Sequence, residues 1–482
     1  MKNKLIYKSN KNLNLIKLIT MFYTRRLLAP TTISLSSIGY LQFNPFKNKK
    51  TQDKNKTYTE EEVSRHNSPN DAWVTYKNKV YDVTNFLDIH PGGRENLLMA
   101  IGGPVDMYWN IYRQHYSDYV SKVMSKYEIG ELKDYQKEEF DNEYHNEPVR
   151  NNITTTVHKK EPYNAELNVA NILDSYITPE KNWFTRNHHP VPDINIEDYR
   201  VIINGKLYKY DDITDFKISE ITTTIQCAGN RRSELNEIDK TMGLPWKGGA
   251  ISTGKWRGVW LSDIVEIPKD KKYINLYDYD SKFSVSVPID QPLFLAFNMN
   301  DEVLTRDRGY PLRVIAPGLT GSKNVKWIQE ISFSNEEAES PWQTGIAYKI
   351  MPNYIKSTAD IVPELKEILP TITTLPIQSY ICEKEIDEDK KFVTLKGYAM
   401  ASKDKKILKV EVSDDGGKTW KMSNIYKGKH EKNVWCFWKI RLTYNPETKY
   451  ICRATDDYGT TQEHTAEQLW NIRGIANNSV CG

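Results

Sequence analysis

Two sets of residues carry the chemistry of this 482-residue chain. In Thr222-Thr-Thr-Ile-Gln-Cys-Ala-Gly-Asn-Arg-Arg-Ser-Glu234, the thiol of Cys227 precedes a small flexible turn and then Arg231 and Arg232. Neighbouring guanidinium groups stabilise a thiolate, the form that binds metal, so the run reads as an anion-handling metal site with both arginines acting on the thiol. The second set is His90-Pro-Gly-Gly93, followed 25 positions later by His115. Proline fixes the backbone there, and the glycines permit a tight turn and close approach by a large flat ligand. Leu97, Leu98, Met99 and Ile101 lie between the two histidines and would line an apolar pocket. Imidazoles on opposite walls of such a pocket would fill both axial positions of a haem iron, leaving no open position for oxygen and suiting electron transfer.

These residues need elements to hold them. Residues 57–132 read as a small α+β domain: Thr59-Glu-Glu-Glu62 is a capping-box pattern, and the two apolar halves of Trp73–Val83 fold back at Lys77-Asn78 as a hairpin. Residues 133–167 are charged and irregular, and are expected to form a flexible linker that keeps a haem carrier at high effective concentration near its donor. Residues 168–363 hold glycine-rich turns that carry cations, including Trp246-Lys-Gly-Gly-Ala250, Arg306-Asp-Arg-Gly309 and Gly321-Ser-Lys-Asn-Val-Lys-Trp327. A phosphorylated organic cofactor requires such turns, because backbone N–H groups and cations must both reach its phosphate. Residues 364–482 alternate short strands, such as Phe392–Tyr398 and Ile407–Val412, with a turn at Asp414-Asp-Gly-Gly417, and read as a β-sandwich.

The formal charge of +3 hides an asymmetry. Residues 1–52 contain ten Lys/Arg and no acid, leaving 56 basic against 63 acidic side chains in the remainder. That leader is amphipathic where Leu15, Leu18, Ile19 and Phe22 share a face, and is expected to be a mitochondrial targeting segment. The uncharged run that follows Arg26 is broken by Pro30 and Pro45, which suits a stop-transfer signal for the intermembrane space better than permanent membrane insertion. A mildly acidic remainder argues against nucleic-acid binding and for a basic protein partner. The five cysteines show no Cys-x-x-Cys spacing, and Cys436 and Cys452 read as reduced core thiols.

The Cys227 run, with Arg186-Asn-His188 upstream and Gly249-Ala-Ile-Ser-Thr253 downstream, resembles the molybdenum-cofactor domain of the sulfite oxidase family. The segment from Ala72 to Leu132 similarly resembles the cytochrome b5 family, with His90 and His115 in the haem-ligand positions. These resemblances imply an α+β multidomain protein: a cytochrome b5-like domain, a mixed α+β molybdopterin domain, and a C-terminal immunoglobulin-like β-sandwich that forms a homodimer. They imply molybdenum-molybdopterin bound through Cys227, and haem b bound through the two histidines. Arg186, Arg232, Trp246, Tyr348 and Arg473 fall at the substrate pocket. Phe184, Arg186, His188, Arg308, Arg313, Ser322, Lys323 and Lys326 fall along the pterin and its phosphate. Arg308 departs from the pattern, since the family usually has histidine there, and so adds a cation where a neutral pterin contact is expected.

The implied reaction is sulfite plus water to sulfate, with electrons leaving through the haem to cytochrome c or to oxygen. Tyr348 would hydrogen-bond an oxygen of the reacting group. Nitrate reductases resemble the same modules, but place the b5 module after the dimerisation domain and add a flavin and nicotinamide reductase. Here the haem module comes first and no Gly-x-Gly-x-x-Gly segment follows, so sulfite oxidation is the favoured reading. A non-catalytic haem carrier on a degenerate scaffold is the other alternative, against which the retained Cys227 argues.

Overall fold

The computed structural model describes residues 56–91, 93–111, 115, 118–133, 135, 143–150, 153–279, 282–357, 360–428, 430–480 and 482. The targeting segment, the middle of the expected linker and Cys481 lie outside the described residues. The chain forms two compact units, Met1–Lys137 and Glu138–Gly482.

In the first unit, Thr59 starts α1 (Glu60–Arg65) with a reciprocal capping box: its hydroxyl accepts from the Glu62 N–H at 3.1 Å, and the Glu62 carboxylate accepts from the Thr59 N–H at 2.7 Å. Two otherwise orphaned backbone donors are thereby satisfied. Strands β1 (Asp71–Tyr76) and β2 (Lys79–Asp82) form the expected hairpin, turning at Lys77 with φ of 53°. Helices α2 (Arg94–Leu98), α3 (Asp106–Ile111) and α4 (Asp118–Met124) follow, and β3 (Glu128–Leu132) returns antiparallel to β2. Ala72 and Val74, alternate residues of β1, pack with Leu87, Ala100, Val105 and Trp109 in the main core of this unit. Strand period two thus sends one face of the hairpin toward the histidine-bearing segments.

The second unit begins inside the stretch expected to be a linker. Strands β4 (Thr155–Lys159) and β5 (Asn164–Leu167) pair antiparallel, and all four residues of β5 are buried. The expected tether therefore ends earlier than Leu167. Its charges misled, because buried Glu166 is fully compensated: it accepts from the N–H groups of Lys247 at 2.8 Å and Gly249 at 3.0 Å, and pairs with His158 at 2.7 Å. Strand β6 (Thr185–Arg186) adds to β5.

Next come β7 (Arg200–Ile203), β8 (Lys206–Lys209), β9 (Ile218–Gln226), α5 (Arg232–Ile238), β10 (Ile251–Trp260), β11 (Tyr273–Asp278), β12 (Ser284–Pro288), β13 (Phe294–Met299), β14 (Arg313–Ile315) and β15 (Ile328–Ser334). They build two sheets, one in the order β8-β7-β15-β11-β12 and one running β9-β10-β13 with β14 also on β13. Only β7 and β15 pair in parallel within these sheets, among the described residues. Val201, Ile274 and Val285 of the first sheet meet Val259, Leu295 and Val314 of the second in the largest core. The opposite face of the second sheet buries Trp183, Phe184, Cys227, Trp246 and Trp256. A sheet buried on both faces holds its strand ends rigidly, and Cys227 follows directly on β9.

The remaining strands are β16 (Gln378–Ile386), β17 (Phe392–Met400), β18 (Ile407–Ser413), β19 (Asn424–Lys427), β20 (Cys436–Thr443) and β21 (Ile451–Asp456). They form a sheet β16-β17-β20-β19 and another in which β18 pairs β21. Val393, Leu395 and Trp438 of one sheet pack on Val410, Val412 and Ala454 of the other, as a β-sandwich requires. Cys436 and Cys452 are thiols in that core, and burial pushes the Cys436 thiol up to about 12. No helix among the described residues is long and apolar enough to cross a membrane.

Candidate active site and electron-transfer site

In the first unit, His90 and His115 face one another with ring centroids 6.0 Å apart and planes within 12° of parallel. A metal-bound imidazole nitrogen lies about 2 Å from its ion, so two opposed rings sharing one ion have centroids about 6 Å apart. The pair therefore fits a haem iron. His90 Nδ1 lies 3.0 Å from the Gly93 carbonyl, which fixes the proton on Nδ1 and leaves Nε2 to bind metal. Phe86, Leu97, Leu98 and Ile101 pack around the same core and supply apolar surface.

In the second unit a cavity opens beside Cys227. Cys227 sits where β9 ends, its N–H bonded to the Ala250 carbonyl at 2.9 Å and its Sγ accepting the Gly229 N–H at 3.4 Å. The two arginines that follow it diverge. Arg231, with φ of 66°, turns its fully buried guanidinium onto the Glu234 carboxylate at 2.9 and 2.7 Å and onto the Ser479 carbonyl. The expectation that both arginines act on the thiol is thus corrected: left-handed backbone at position 231 sends that side chain to the C-terminal segment. Only Arg232 stays with Cys227. It lies among three glycines, and a Cβ on Gly229 or Gly243 would come within 2.5 or 2.6 Å of its guanidinium nitrogens.

Arg232, Arg186, Arg473 and Tyr348 share one electrostatic neighbourhood with Cys227. Burial pushes Arg232 down to about 10, so it remains a cation at neutral pH. Arg232 donates to the Leu244, Arg473 and Gly474 carbonyls, and Arg473 to the Ala347 carbonyl, while the Arg473 Nε–H has no partner. Arg186 donates to Asn164 Oδ1, to the Asn187 carbonyl and to His188 Nδ1. Among the described residues none of these hydrogen bonds ends on a carboxylate. Three part-buried or buried cations without a counter-anion are costly unless an anion occupies the space between them.

A second set of cations lies along the cavity. Arg313 is buried over the Trp256 ring, donates to the Arg308 and Asn324 carbonyls, and leaves its Nε–H unpartnered; burial pushes it down to about 9. Lys326 donates to Asn187 Oδ1 and, at 3.0 Å, to the Asp307 carbonyl. Arg313 and Lys326 hydrogen-bond to no carboxylate among the described residues, a donor set that fits a phosphate monoester. Gly321 lies against the Cys227 backbone, where a Cβ would meet the Gln226 carbonyl at 3.0 Å. Ser322 and Phe184 line the same cavity. The residues present therefore fit a phosphorylated pterin bound in this cavity.

Arg232 and Arg473, though near Cys227, do not themselves line that cavity, and three further expected site residues are engaged by other partners. Lys323 turns away from the cavity and donates to Gln343 at 2.6 Å in a fully buried pair, with burial pushing it down to about 8. Trp246 is buried behind Cys227, edge-on to His158 with ring centroids 4.9 Å apart, and does not line the cavity. Arg308 lines the cavity, but its guanidinium is spent on Glu180 at 3.0 Å, Thr185 Oγ1 at 3.1 Å and the Trp183 and Phe184 carbonyls at 3.2 Å. From the cavity wall, Arg308 thereby also clamps the segment that carries Phe184 and Arg186.

The sequence reading missed Arg150, Asn164 and Asp307. Arg150 binds Asp307, 157 positions along the chain, through Nη2 at 2.8 Å, and stacks on Tyr163. Burial alone would raise the Asp307 pKa, but hydrogen bonds from Arg150 and the charges of Arg308 and Lys326 hold it below the usual carboxylate range. Asp307→Asn is expected to destabilise the second unit by about 3 kcal/mol, the cost of breaking a buried pair, as a lower midpoint in urea at pH 7. Because the folded pKa is depressed, this stability is complete above about pH 4 and is lost as pH falls through the folded value, so the variant's deficit should shrink in acid.

Three family models match the chain. They are a cytochrome b5-like heme/steroid binding domain at residues 59–133, an oxidoreductase molybdopterin binding domain at 188–342, and a Mo-co oxidoreductase dimerisation domain at 370–480. Nitrate reductase [NADH] of Brassica napus is 29% identical over 77% of this chain and 44% of its own length. The sulfane dehydrogenase SoxCD of Paracoccus pantotrophus shares the fold, with a TM-score of 0.56 at 22% identity over 69% of this chain and 86% of that one. Mitochondrial sulfite oxidase of Homo sapiens is 33% identical over 93% of this chain and 87% of that protein, and the chain belongs to the sulfite oxidase family.

Proposed function

We propose that this chain oxidises sulfite with water to sulfate, releasing two protons and two electrons that leave singly through a haem held by His90 and His115. Molybdenum bound at Cys227 and carried by the pterin supplies oxygen-atom transfer and a two-electron store. Arg186, Arg232 and Arg473 bind and orient the substrate dianion, and stay in place to compensate the product's charge. Arg313 and Lys326 hold the cofactor phosphate, while Arg308 fixes the Phe184–Arg186 segment. His90 and His115 would hold the haem, which would supply one-electron transfer.

The observation that carries this reading is the cluster of three arginines around a single thiol, with no hydrogen-bonded carboxylate among the described residues. Cytochrome c is the proposed acceptor, supported by the acidic balance of the chain beyond residue 52 and the basic partner this favours. A mitochondrial location, in the intermembrane space, is supported by the basic leader. Homodimerisation through the C-terminal sandwich is supported by the dimerisation model over 370–480.

Anaerobic mixing of molybdenum-replete protein with sulfite tests the reading. Haem absorption should shift to the reduced form with two electrons delivered per sulfite. Unchanged absorption in molybdenum-replete protein defeats the proposal, and reoxidation of the haem by nitrate would favour a nitrate reductase.

A further inference from the structure

Outside the Cys227 cavity, Glu166 of β5 and His158 of β4 form a pair of almost wholly buried side chains, with Nε2 2.7 Å from Oε1. The β4-β5 pairing shifts register between Val157 and Lys159, and His158 sits at that irregularity, where a bulge re-aims a side chain. Its ring also meets Trp246 edge-on, with centroids 4.9 Å apart. The carboxylate reaches past the histidine to the backbone of residues 246–250. Oε1 accepts from the Lys247 N–H at 2.8 Å, and Oε2 accepts from the Gly249 N–H at 3.0 Å.

The turn that carries Cys227 rests on that same backbone. The Cys227 N–H donates to the Ala250 carbonyl at 2.9 Å, the Arg231 N–H to the Lys247 carbonyl at 2.6 Å, and the Ser233 N–H to the Trp246 carbonyl at 2.9 Å. In return the Ala250 N–H donates to Asn230 Oδ1 at 3.0 Å. Gly248 and Gly249 interrupt the segment, and both are needed: a Cβ on Gly248 would stand 2.7 Å from the Tyr380 ring, and one on Gly249 would overlap the Leu167 carbonyl oxygen. Glycine backbone is the least restricted of any residue, so bonds from outside must fix the shape of this pair.

We infer that Glu166, oriented by His158, is a positioning residue for Cys227: its carboxylate spans the Lys247–Gly249 backbone and so fixes the direction in which the thiol is presented to the cavity. Neither Glu166 nor His158 lines the cavity, so both act through the backbone. The imidazole N–H is the third donor to the carboxylate, and holds it against the two amides.

The inference rests on the proposed sulfite reaction, and its test reads more than turnover. In full-length, molybdenum-replete protein, Glu166→Gln places an NH2 group against one of the two amide donors. It should lower kcat for sulfite per bound molybdenum by roughly ten- to a hundredfold, the range for groups that orient a metal ligand. KM should stay near the wild-type value, because Arg186, Arg232 and Arg473 are untouched. The electron paramagnetic resonance of the bound molybdenum, developed with dithionite, should shift, because it reports the direction of the thiolate ligand. His158→Leu, which releases the carboxylate from its third donor, should show both changes in smaller measure. His158→Gln should reverse them, since an amide can donate from the place of Nε2.

A wild-type resonance in Glu166→Gln would overturn the inference even if turnover fell, as would a loss of activity carried by KM alone or a His158→Gln protein as impaired as His158→Leu. If Glu166→Gln yields no molybdenum-replete protein, the two His158 variants decide on the same terms. A wild-type protein that holds molybdenum but does not oxidise sulfite would instead refute the reaction, and the resonance would still read the position of the thiol.

Discussion

Cys227→Ser is expected to give a folded, haem-containing protein whose haem sulfite no longer reduces, with the rate falling at least about a thousandfold, or ~4 kcal/mol of barrier. Among the described residues Cys227 is the one thiol that lines the cavity. Thiolate is a soft, readily ionised ligand, whereas a serine oxygen is hard and stays protonated at neutral pH, so the metal loses its anchor. Folding should survive, because the Gly229 N–H that Sγ accepts at 3.4 Å can be accepted equally by a serine oxygen. Stopped-flow absorbance under anaerobic conditions, alongside molybdenum analysis, provides the check. A serine variant that reduces its haem at the wild-type rate would remove Cys227 from the chemistry.

The second large effect belongs to the other unit. His90→Ala or His115→Ala removes one of the two facing imidazoles proposed as ligands, and should weaken haem binding by at least the roughly hundredfold that loss of outer-shell partners alone reaches. Electron flow from sulfite to an external carrier should drop to background with the haem absorption. Molybdenum content and sulfate affinity should remain, because the second unit folds around cores of its own. Normal haem occupancy in either variant would show that the facing imidazoles are not the iron's ligands. The two sets of variants thus separate oxidation of the substrate from removal of its electrons.

Much of the fold was legible because local rules govern it. The Thr59 capping box, the Lys77 turn and the alternating strands of the sandwich depend on residues a few positions apart, and each formed as the sequence implied. The strands β4 and β5 escaped notice for the opposite reason. Their charged residues look like solvated linker until Glu166 meets Lys247 and Gly249, more than eighty positions away.

Side-chain direction was the least legible part of the site. Arg231 and Arg232 are neighbours in sequence, yet one serves the C-terminal segment and the other the thiol. Lys323 and Lys326 sit on one short turn, yet only Lys326 faces the cavity. Arg308 looked like a misplaced pterin contact, and becomes a clamp only when Glu180, 128 positions upstream, lies beside it.

By itself the sequence determined which chemical groups are present and which local turns carry them: a thiol at a strand end, paired histidines around an apolar stretch, and cation-bearing glycine turns. Those are properties of residue type and short spacing, fixed by covalent geometry. Only the tertiary structure decided which cations are spent on protein partners and which remain for a ligand. That division depends on packing between segments far apart in the chain, where a buried charge must find either a partner or an anion.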